Sequence, residues 1–537
     1  MSHRFVHFGE VAEHHARERP DAIAFAFEGR TTSFGDFAAR CRRVAVALSA
    51  EGCRPGARVA FLGKNSDLFF ELLVGAGMAG LVTVPLNWRL APAEHEQILA
   101  DAGAELLFVT GDFLAAAARL VPNVAGIRRL IAIEPGDDPD RHFTAWRDAP
   151  GDAAGTTVDV GRDDVFLQLY TSGTTGRPKG VMLTHGAILG ALELAEASGE
   201  AWRRWTPDLT ALVAMPVFHV SGSGWALGAF HGGGRSVVLR EFSIAGIERA
   251  IAGDGVTHAM IVPTALQMLV DSWEQGDVRP GSLRQIVYGA SPMPPVLLKR
   301  CLKLIGCDFV QYYGMTETCG SFVALPPEDH VRPVGNRLAS TGRVMSGNAI
   351  RIVDLQGAEV PPSVVGEVCV RTPGVMAGYW NMPEATRETI DADGWLRTGD
   401  AGYLDADGYL FLCDRIKDMI ISGGENIYPI EVEQAIATHP AVDAVAVIGI
   451  PDDRWGETVK AFVVLKPGAA VNAEELVAHA RTTIAGYKVP RSVDFVATLP
   501  RNASGKILKR ELRAAHRTGP DRAPDGAPDR APDRAVA

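Results

Sequence analysis

The sequence predicts an α/β fold in which mostly parallel sheets are covered by helices, followed by a small antiparallel β element and then a separate mixed domain. Three observations carry this reading. Over the N-terminal part of the chain, apolar strand-like runs alternate with amphipathic helical stretches, the βαβ rhythm of a parallel sheet with crossover helices. From about Val334 the rhythm gives way to short strands joined by tight turns. Beyond Asp414 a fresh mixture of helices and strands runs for about 100 residues, an ordinary domain size. At 537 residues the chain also exceeds what one hydrophobic core can hold, so a bulky multi-lobed body with at least one smaller domain is expected.

In order, A-I-A-F-A-F reads as a strand, Phe34 to Ala50 as a helix, R-V-A-F-L-G as a strand, Leu68 to Ala79 as a helix, and L-V-T-V-P-L and E-L-L-F-V-T as strands. The most apolar stretch, Leu72 to Leu86, contains Gly75, Gly77, Gly80 and Pro85 and is shorter than the roughly 20 residues a bilayer span needs, so it is a buried helix running into a strand. Pro135 to Gly161, rich in Gly, Pro, Asp and Ala, reads as a loop between lobes, after which V-F-L-Q-L-Y resumes the strand pattern. Later come A-I-R-I-V-D-L, G-E-V-C-V-R-T and Y-L-D-A-D-G-Y-L-F-L, where Asp407-Gly408 signals a hairpin. The last domain shows a helix near Ile430 to Thr438, strands V-D-A-V-A-V-I-G-I and A-F-V-V-L, a helix near Ala473 to Ile484, and the strand S-V-D-F-V-A. The P-D-R-A and P-D-G-A repeats from Pro520 to Ala535 offer almost nothing to bury and read as a disordered tail without function.

Composition excludes several classes. With 47% apolar and 22% charged residues the chain is neither disordered, collagenous nor a disulfide scaffold. Lys plus Arg is 53 against 64 for Asp plus Glu, a net charge of −11, so no global field recruits nucleic acid or an anionic membrane. Any polyanion must be held locally. The seven scattered cysteines lack C-x-x-C spacing and read as reduced thiols of a cytoplasmic protein, and the N-terminus lacks the unbroken apolar core of a signal peptide.

The strand V-F-L-Q-L-Y runs into Y-T-S-G-T-T-G-R-P-K-G, Tyr170 to Gly180. Here Thr171, Ser172, Thr174 and Thr175 alternate with Gly173 and Gly176, so a permissive backbone can turn N–H and hydroxyl donors toward phosphate oxygens, with Lys179 adding a point charge. A polar surface turn is the competing reading, and the density of donors directly after a buried strand tilts it toward phosphate. It is not a Walker loop: Lys506 follows Gly505, but Pro500 stands where the first glycine belongs and Ile507 where the hydroxyl belongs.

With four further motifs this loop resembles the adenylate-forming enzymes of the acyl-CoA synthetase, luciferase and peptide-synthetase adenylation superfamily, in look bacterial fatty-acid CoA ligases. The motifs are Y-Y-G-M-T-E-T (Tyr312 to Thr318), G-W-L-R-T-G-D (Gly394 to Asp400), D-R-I-K-D-M-I-I-S-G-G-E-N-I-Y-P (Asp414 to Pro429) and P-R-N-A-S-G-K-I-L-K (Pro500 to Lys509). The resemblance implies a large N-terminal body of two βαβ lobes plus a small β-barrel lobe (about 334–414 within 1–414), a hinge at 415–418 centred on Lys417, and a mobile α+β domain at 419–516. Residues 517–537 form the tail, and the active site is expected between body and small domain.

It also implies roles. Glu317, with the hydroxyl of Thr171, would hold the Mg²⁺ that accompanies ATP. Gln311, Tyr312, Tyr313, Gly314, Met315 and Thr316 would flank the adenine and α-phosphate, and Gly289, Ala290 and Ser291 the other adenine face. Asp400 would accept from the ribose hydroxyls with Arg415 as companion, although an Asp after Gly is more often a turn former. Lys506 would bridge the substrate carboxylate and the α-phosphate, whereas Lys509 and Arg510 read as surface charges. Ser422, Gly423 and Gly424 would line the channel for coenzyme A.

M-P-V-F-H-V-S-G-S-G-W, Met215 to Trp225, matches the segment bordering the acyl pocket, with His219 facing the carboxylate and Val220 beside it. Amino-acid-activating relatives carry Phe-Asp where this chain has Phe218-His219, so an α-ammonium is not expected. Ser221, Gly222 and Gly224 are read as leaving room for an extended chain, with Trp225 capping or lining the tunnel. The implied activity is an AMP-forming acyl-CoA synthetase using ATP, coenzyme A and a small-molecule carboxylic acid, first a medium- or long-chain fatty acid. Alternatives are an aromatic-acid CoA ligase or an enzyme loading a carrier protein, and a homodimer is left open.

Overall fold

The computed structural model describes residues 4–134, 142–150, 158–171, 178–276, 281–291, 293–332, 334–354, 356–423, 425–501 and 507–518. They fall into two compact units, Met1–Thr398 with Tyr403–Phe411, and Gly399–Gly402 with Leu412–Ala537. Among the described residues the strands form sheets of thirteen, seven and five.

The seven-stranded sheet has at its centre Arg58–Leu62, Val82–Leu86 and Ala104–Val109, which pair in parallel. Their side chains are almost all buried, as expected for a sheet covered on both faces. Helix Phe34–Ala50 precedes the first of these strands and Asp67–Met78 joins the first to the second, each opened by a serine, Ser33 and Ser66, whose hydroxyl accepts a backbone N–H of the first turn. At one side, Val165–Thr171 pairs antiparallel with Lys179–Thr184, so Thr171 stands opposite Lys179.

The segment read as an inter-lobe loop contains a short helix, Phe143–Asp148. At six residues it is too short for periodicity to announce. Tertiary contacts hold it: the rings of Phe143 and Trp146 meet Phe108 at 6.0 and 5.1 Å, and Arg147 donates to the buried carboxylate of Glu71 at 2.8 Å. Arg40 reaches the same carboxylate at 3.1 Å, so a charge with 1% exposure is doubly compensated.

In the thirteen-stranded sheet, Ile23–Phe27, Arg235–Val238, Thr210–Val213, His258–Met260, Gln285–Gly289 and Asp308–Met315 are parallel neighbours. The direction then reverses at Gly320–Leu325, and Gly342–Val344 and Tyr409–Arg415 add on antiparallel. The late antiparallel strands are thus hydrogen-bonded onto the second sheet, with the expected Asp407-Gly408 turn at φ +79° for Gly408.

The second unit pairs Val442–Asp452 with Gly456–Leu465 and adds Ile420–Ser422, Glu425–Ile427 and Ser492–Phe495. Helices Pro429–Ala437 and Ala473–Arg481 cover it over a core that includes Val432, Ile436, Val447, Val463 and Leu476. Lys509 is not a free surface charge: its ammonium meets Glu433 at 2.9 Å with 14% side-chain exposure, tying the last helix to the first of this unit. Among the described residues no helix is long and apolar enough to cross a membrane.

Candidate active site

In the first unit the candidate phosphate side is built around Glu317. The parallel strand Asp308–Met315 ends in a single 3-10 turn, Thr316–Thr318, which packs against Lys179–Thr184. The Thr318 hydroxyl accepts from Met315 N at 3.2 Å and the chain leaves through Cys319 at φ +53°. This tight reversal aims Glu317 inward, at 8% exposure. The Tyr379 hydroxyl donates to Glu317 Oε1 at 2.9 Å, and Met376 N donates to the Glu317 carbonyl at 2.9 Å. Lys179, at the end of the phosphate-loop hairpin, carries its ammonium 4.5 Å above the Tyr379 ring. A buried carboxylate and the Thr171 hydroxyl are hard oxygen donors, a set that suits Mg²⁺. Ser172, Gly173, Thr174, Thr175 and Gly176 lie outside the described residues.

On the adenine side, Gly289 pairs with Tyr312 across parallel strands, and a Cβ on Gly289 would stand 2.3 Å from the Tyr312 carbonyl. Gly314 is as confined, its ideal Cβ 2.0 Å from Gly320 O. Both glycines are therefore required for strands to approach this closely. Ala290 adopts φ +66°, left-handed backbone that costs an alanine energy and that clusters at functional sites. It turns the chain toward Ser291. Burial pushes the Tyr312 phenol up to about 12, so it is a neutral aromatic wall, with Trp202 6.2 Å away, while Tyr313 turns onto Phe322 at 5.0 Å. Gln311 accepts from Tyr288 at 3.3 Å.

On the acyl side, helix Val220–His231 begins directly after His219, whose backbone carbonyl accepts from Gly222 and Ser223. The His219 ring lies 4.6 Å from Phe218, and its Nε2 is buried with no partner among the described residues. Burial, then the nearby Arg89 guanidinium, lowers its pKa to about 4, so it is neutral at physiological pH. Trp225, 7% exposed, meets Trp205 edge-on at 4.6 Å, and its indole Nε1 also lacks a partner among the described residues.

The room expected at Gly222 is not there. A Cβ would fall 2.3 Å from Pro216 O and 2.6 Å from Met215 O, so this glycine lets the helix sit on the preceding turn instead of opening a tunnel. At Gly224 the nearest atom is Val220 Cγ2 at 3.3 Å. Replacing Gly222 with Leu is accordingly expected to destabilise by about 1–3 kcal/mol or more through overpacking, and not to retune chain-length preference. Thermal melts of the two proteins check it; equal melting temperatures with a shifted acid profile would restore the tunnel reading.

In the second unit, Arg415 Nε donates to Asp400 Oδ1 at 2.8 Å, and Gly399 at φ +69° turns Asp400 toward it. Lys417 falls in a single turn, Ile416–Asp418, whose Asp418 is held by Arg513 at 2.8 Å. Ser422 ends the short strand Ile420–Ser422 and Gly423 begins the turn after it; Gly423 N donates to Trp455 O at 2.9 Å, and the residue lies against the Trp455 ring. Gly424 and Lys506 lie outside the described residues. On the described residues to either side, Arg501 pairs with Ile507 in an isolated β-bridge, and Leu508 N donates to Pro500 O at 2.8 Å.

Tyr379, Trp202 and Trp205 escaped sequence reasoning. Tyr379 is 62 residues from the carboxylate it serves, and no local pattern marks it.

The chain belongs to the AMP-binding enzyme family: residues 12–380 match the model of that enzyme and residues 431–506 that of its C-terminal domain. The class is that of AMP-forming ligases of carboxylic acids. Among relatives, the fatty acid–[acyl-carrier-protein] ligase ScoC of Streptomyces coeruleorubidus is 40% identical over 94% of this chain and 95% of its own. The feruloyl-CoA synthase of an Amycolatopsis species is 41% identical over 93% and 96%. The ATP-bound crystal structure of MatB from Rhodopseudomonas palustris, 31% identical, superposes with a TM-score of 0.83 over 94% of this chain and 99% of that one.

Proposed function

We propose that the protein ligates a carboxylic acid to coenzyme A through an acyl-adenylate, with ATP cleaved to AMP and pyrophosphate. The observation that carries this is the buried Glu317, oriented by Tyr379 beside the strand that leaves the phosphate-loop hairpin. A carboxylate oxygen of the acid attacks the α-phosphorus as the bond to pyrophosphate breaks; the thiol of coenzyme A then attacks the acyl carbon, and AMP leaves. Glu317 and Thr171 would hold the Mg²⁺, which when bound would neutralise phosphate charge. Lys506 stabilises the charge building between carboxylate and α-phosphate, Asp400 with Arg415 serves the ribose, and the Ser422 to Gly424 turn serves the thiol. Neutral His219 can accept or donate a hydrogen bond at the acid without adding a charge.

The acid has an apolar body without an ammonium group, since the Phe218-His219 pair offers no carboxylate partner. Trp225 and Trp205 favour an aryl acid, and the Trp225 N–H, without a partner among the described residues, suits an oxygen substituent on its ring. The feruloyl-CoA synthase supports this reading. A medium- or long-chain fatty acid is the second reading, favoured by the likeness to a fatty acid ligase. The test is coenzyme A-dependent AMP release across alkanoic acids of graded length and hydroxy- and methoxy-aryl acids. The aryl reading expects the oxygenated aryl acids to lead in kcat/KM; alkanoic acids in front would sink it. Release that needs an acyl carrier protein and ignores coenzyme A would overturn the acceptor.

A further inference from the structure

We propose that Tyr379 is a positioning residue that couples the phosphate loop to the metal-binding carboxylate. The inference rests on the reading of Glu317 as the Mg²⁺ ligand. Tyr379 is 6% exposed and is held at three levels. Its strand pairs with the hairpin strand, Tyr379 opposite Val181 and Gly378 opposite Met182, while Trp380 N donates to Gly180 O at 2.7 Å. Its own N–H donates to the Thr386 hydroxyl at 2.9 Å. Its side chain then does two things at once: the hydroxyl donates to Glu317 Oε1 at 2.9 Å, and the ring face carries the Lys179 ammonium at 4.5 Å.

The physical consequence is specific. A carboxylate that must present an oxygen to a hard cation gains from having its other oxygen occupied by a fixed donor, because the rotamer is then set before the metal arrives. A phenol suits this role: it is neutral, so it does not compete for the charge, and its rigid ring places the hydroxyl without entropic loss. The same ring offers Lys179 an electrostatic seat on its face. Lys179 is thereby placed at the exit of the phosphate loop by the residue that orients the metal ligand.

The test uses Mn²⁺ as a spectroscopic stand-in for Mg²⁺. Free Mn²⁺ is followed by electron paramagnetic resonance as it is titrated into the full-length protein with ATP and no acid, for wild type, Tyr379→Phe and Glu317→Gln. ATP affinity in EDTA and the melting temperature are measured alongside. Tyr379→Phe is expected to weaken Mn²⁺ binding about 10-fold, the scale of one hydrogen bond to a charged group, while metal-free ATP affinity stays within about twofold. Tyr379→Leu, which also removes the ring, is expected to lower metal-free ATP affinity by a further factor of about 3–5 as Lys179 loses its seat. A Tyr379→Phe titration that superimposes on wild type while Glu317→Gln is weakened overturns the role of Tyr379 alone. If Glu317→Gln is also unchanged, the metal reading of Glu317 falls and the proposal with it. Equal loss of metal-free and metal-dependent binding in Tyr379→Phe would show a merely structural residue and likewise overturn it.

Discussion

Replacing Lys506 with Ala is expected to slow acyl-adenylate formation by about 10²–10³-fold, while acyl-adenylate supplied from outside still becomes acyl-CoA at close to the wild-type rate. The first number is the cost of removing one preorganised group aimed at developing charge. The selectivity follows from the chemistry: the second half-reaction has an activated leaving group and no pyrophosphate charge to offset. Gly424→Leu should show the converse, adenylate forming normally and the thiol excluded by bulk. Rapid-quench measurement of each half-reaction in single turnover distinguishes them. Equal loss of both halves in each variant would show that Lys506 and the Ser422 to Gly424 turn do not divide the two steps.

The second large effect concerns acid. Three imidazoles are buried at the first helix, Phe8–Glu18: His15 on the helix itself, and His185 and His231 packed against it. His185 Nδ1 accepts from Phe8 N at 3.4 Å and its ring lies 4.4 Å from Phe166; burial, with a small push from His7, lowers its pKa to about 3. His231 is lowered to about 4, chiefly by burial and also by His15, with Glu193 opposing. His15, whose Nε2 meets His231 O at 3.0 Å, is lowered by burial too. A folded pKa below the unfolded value means that the folded state binds fewer protons in acid. The stability from these neutral rings is therefore fully present above the unfolded value of about 6.5 and is lost as pH falls below it, by up to about 1.4 kcal/mol per pH unit for each of His185 and His231. Between pH 6.5 and 5, before carboxylates titrate, the melting temperature should drop steeply, and His185→Gln should flatten the slope. A melting temperature independent of pH across that window would contradict the burial of neutral imidazoles.

What the sequence disclosed and what it hid have physical reasons. Phe34 to Ala50 was legible to the residue because Ser33 caps it, apolar residues recur at helical spacing and neither proline nor a mid-helix glycine interrupts. Phe143–Asp148 was not, since its stability lies in Phe108 and Glu71, far away along the chain. The motifs around Glu317 and Asp400 stood out because their chemistry is contiguous. Tyr379 and the Trp205–Trp225 pair did not, because each is defined by a contact between distant segments. Gly222 shows a third limit: a glycine announces that a side chain is missing but not on which side, and here the missing side faces the backbone of Pro216.

The central claim is that the carboxylate of the substrate attacks the α-phosphorus of ATP. It is tested most directly by running the reaction with an acid labelled with ¹⁸O in both carboxylate oxygens and weighing the products by mass spectrometry. The account predicts one ¹⁸O in each AMP released, none in pyrophosphate, and the other retained in the thioester carbonyl. Label appearing in orthophosphate, with ADP as the nucleotide product, would mean attack at the γ-phosphorus and would contradict it.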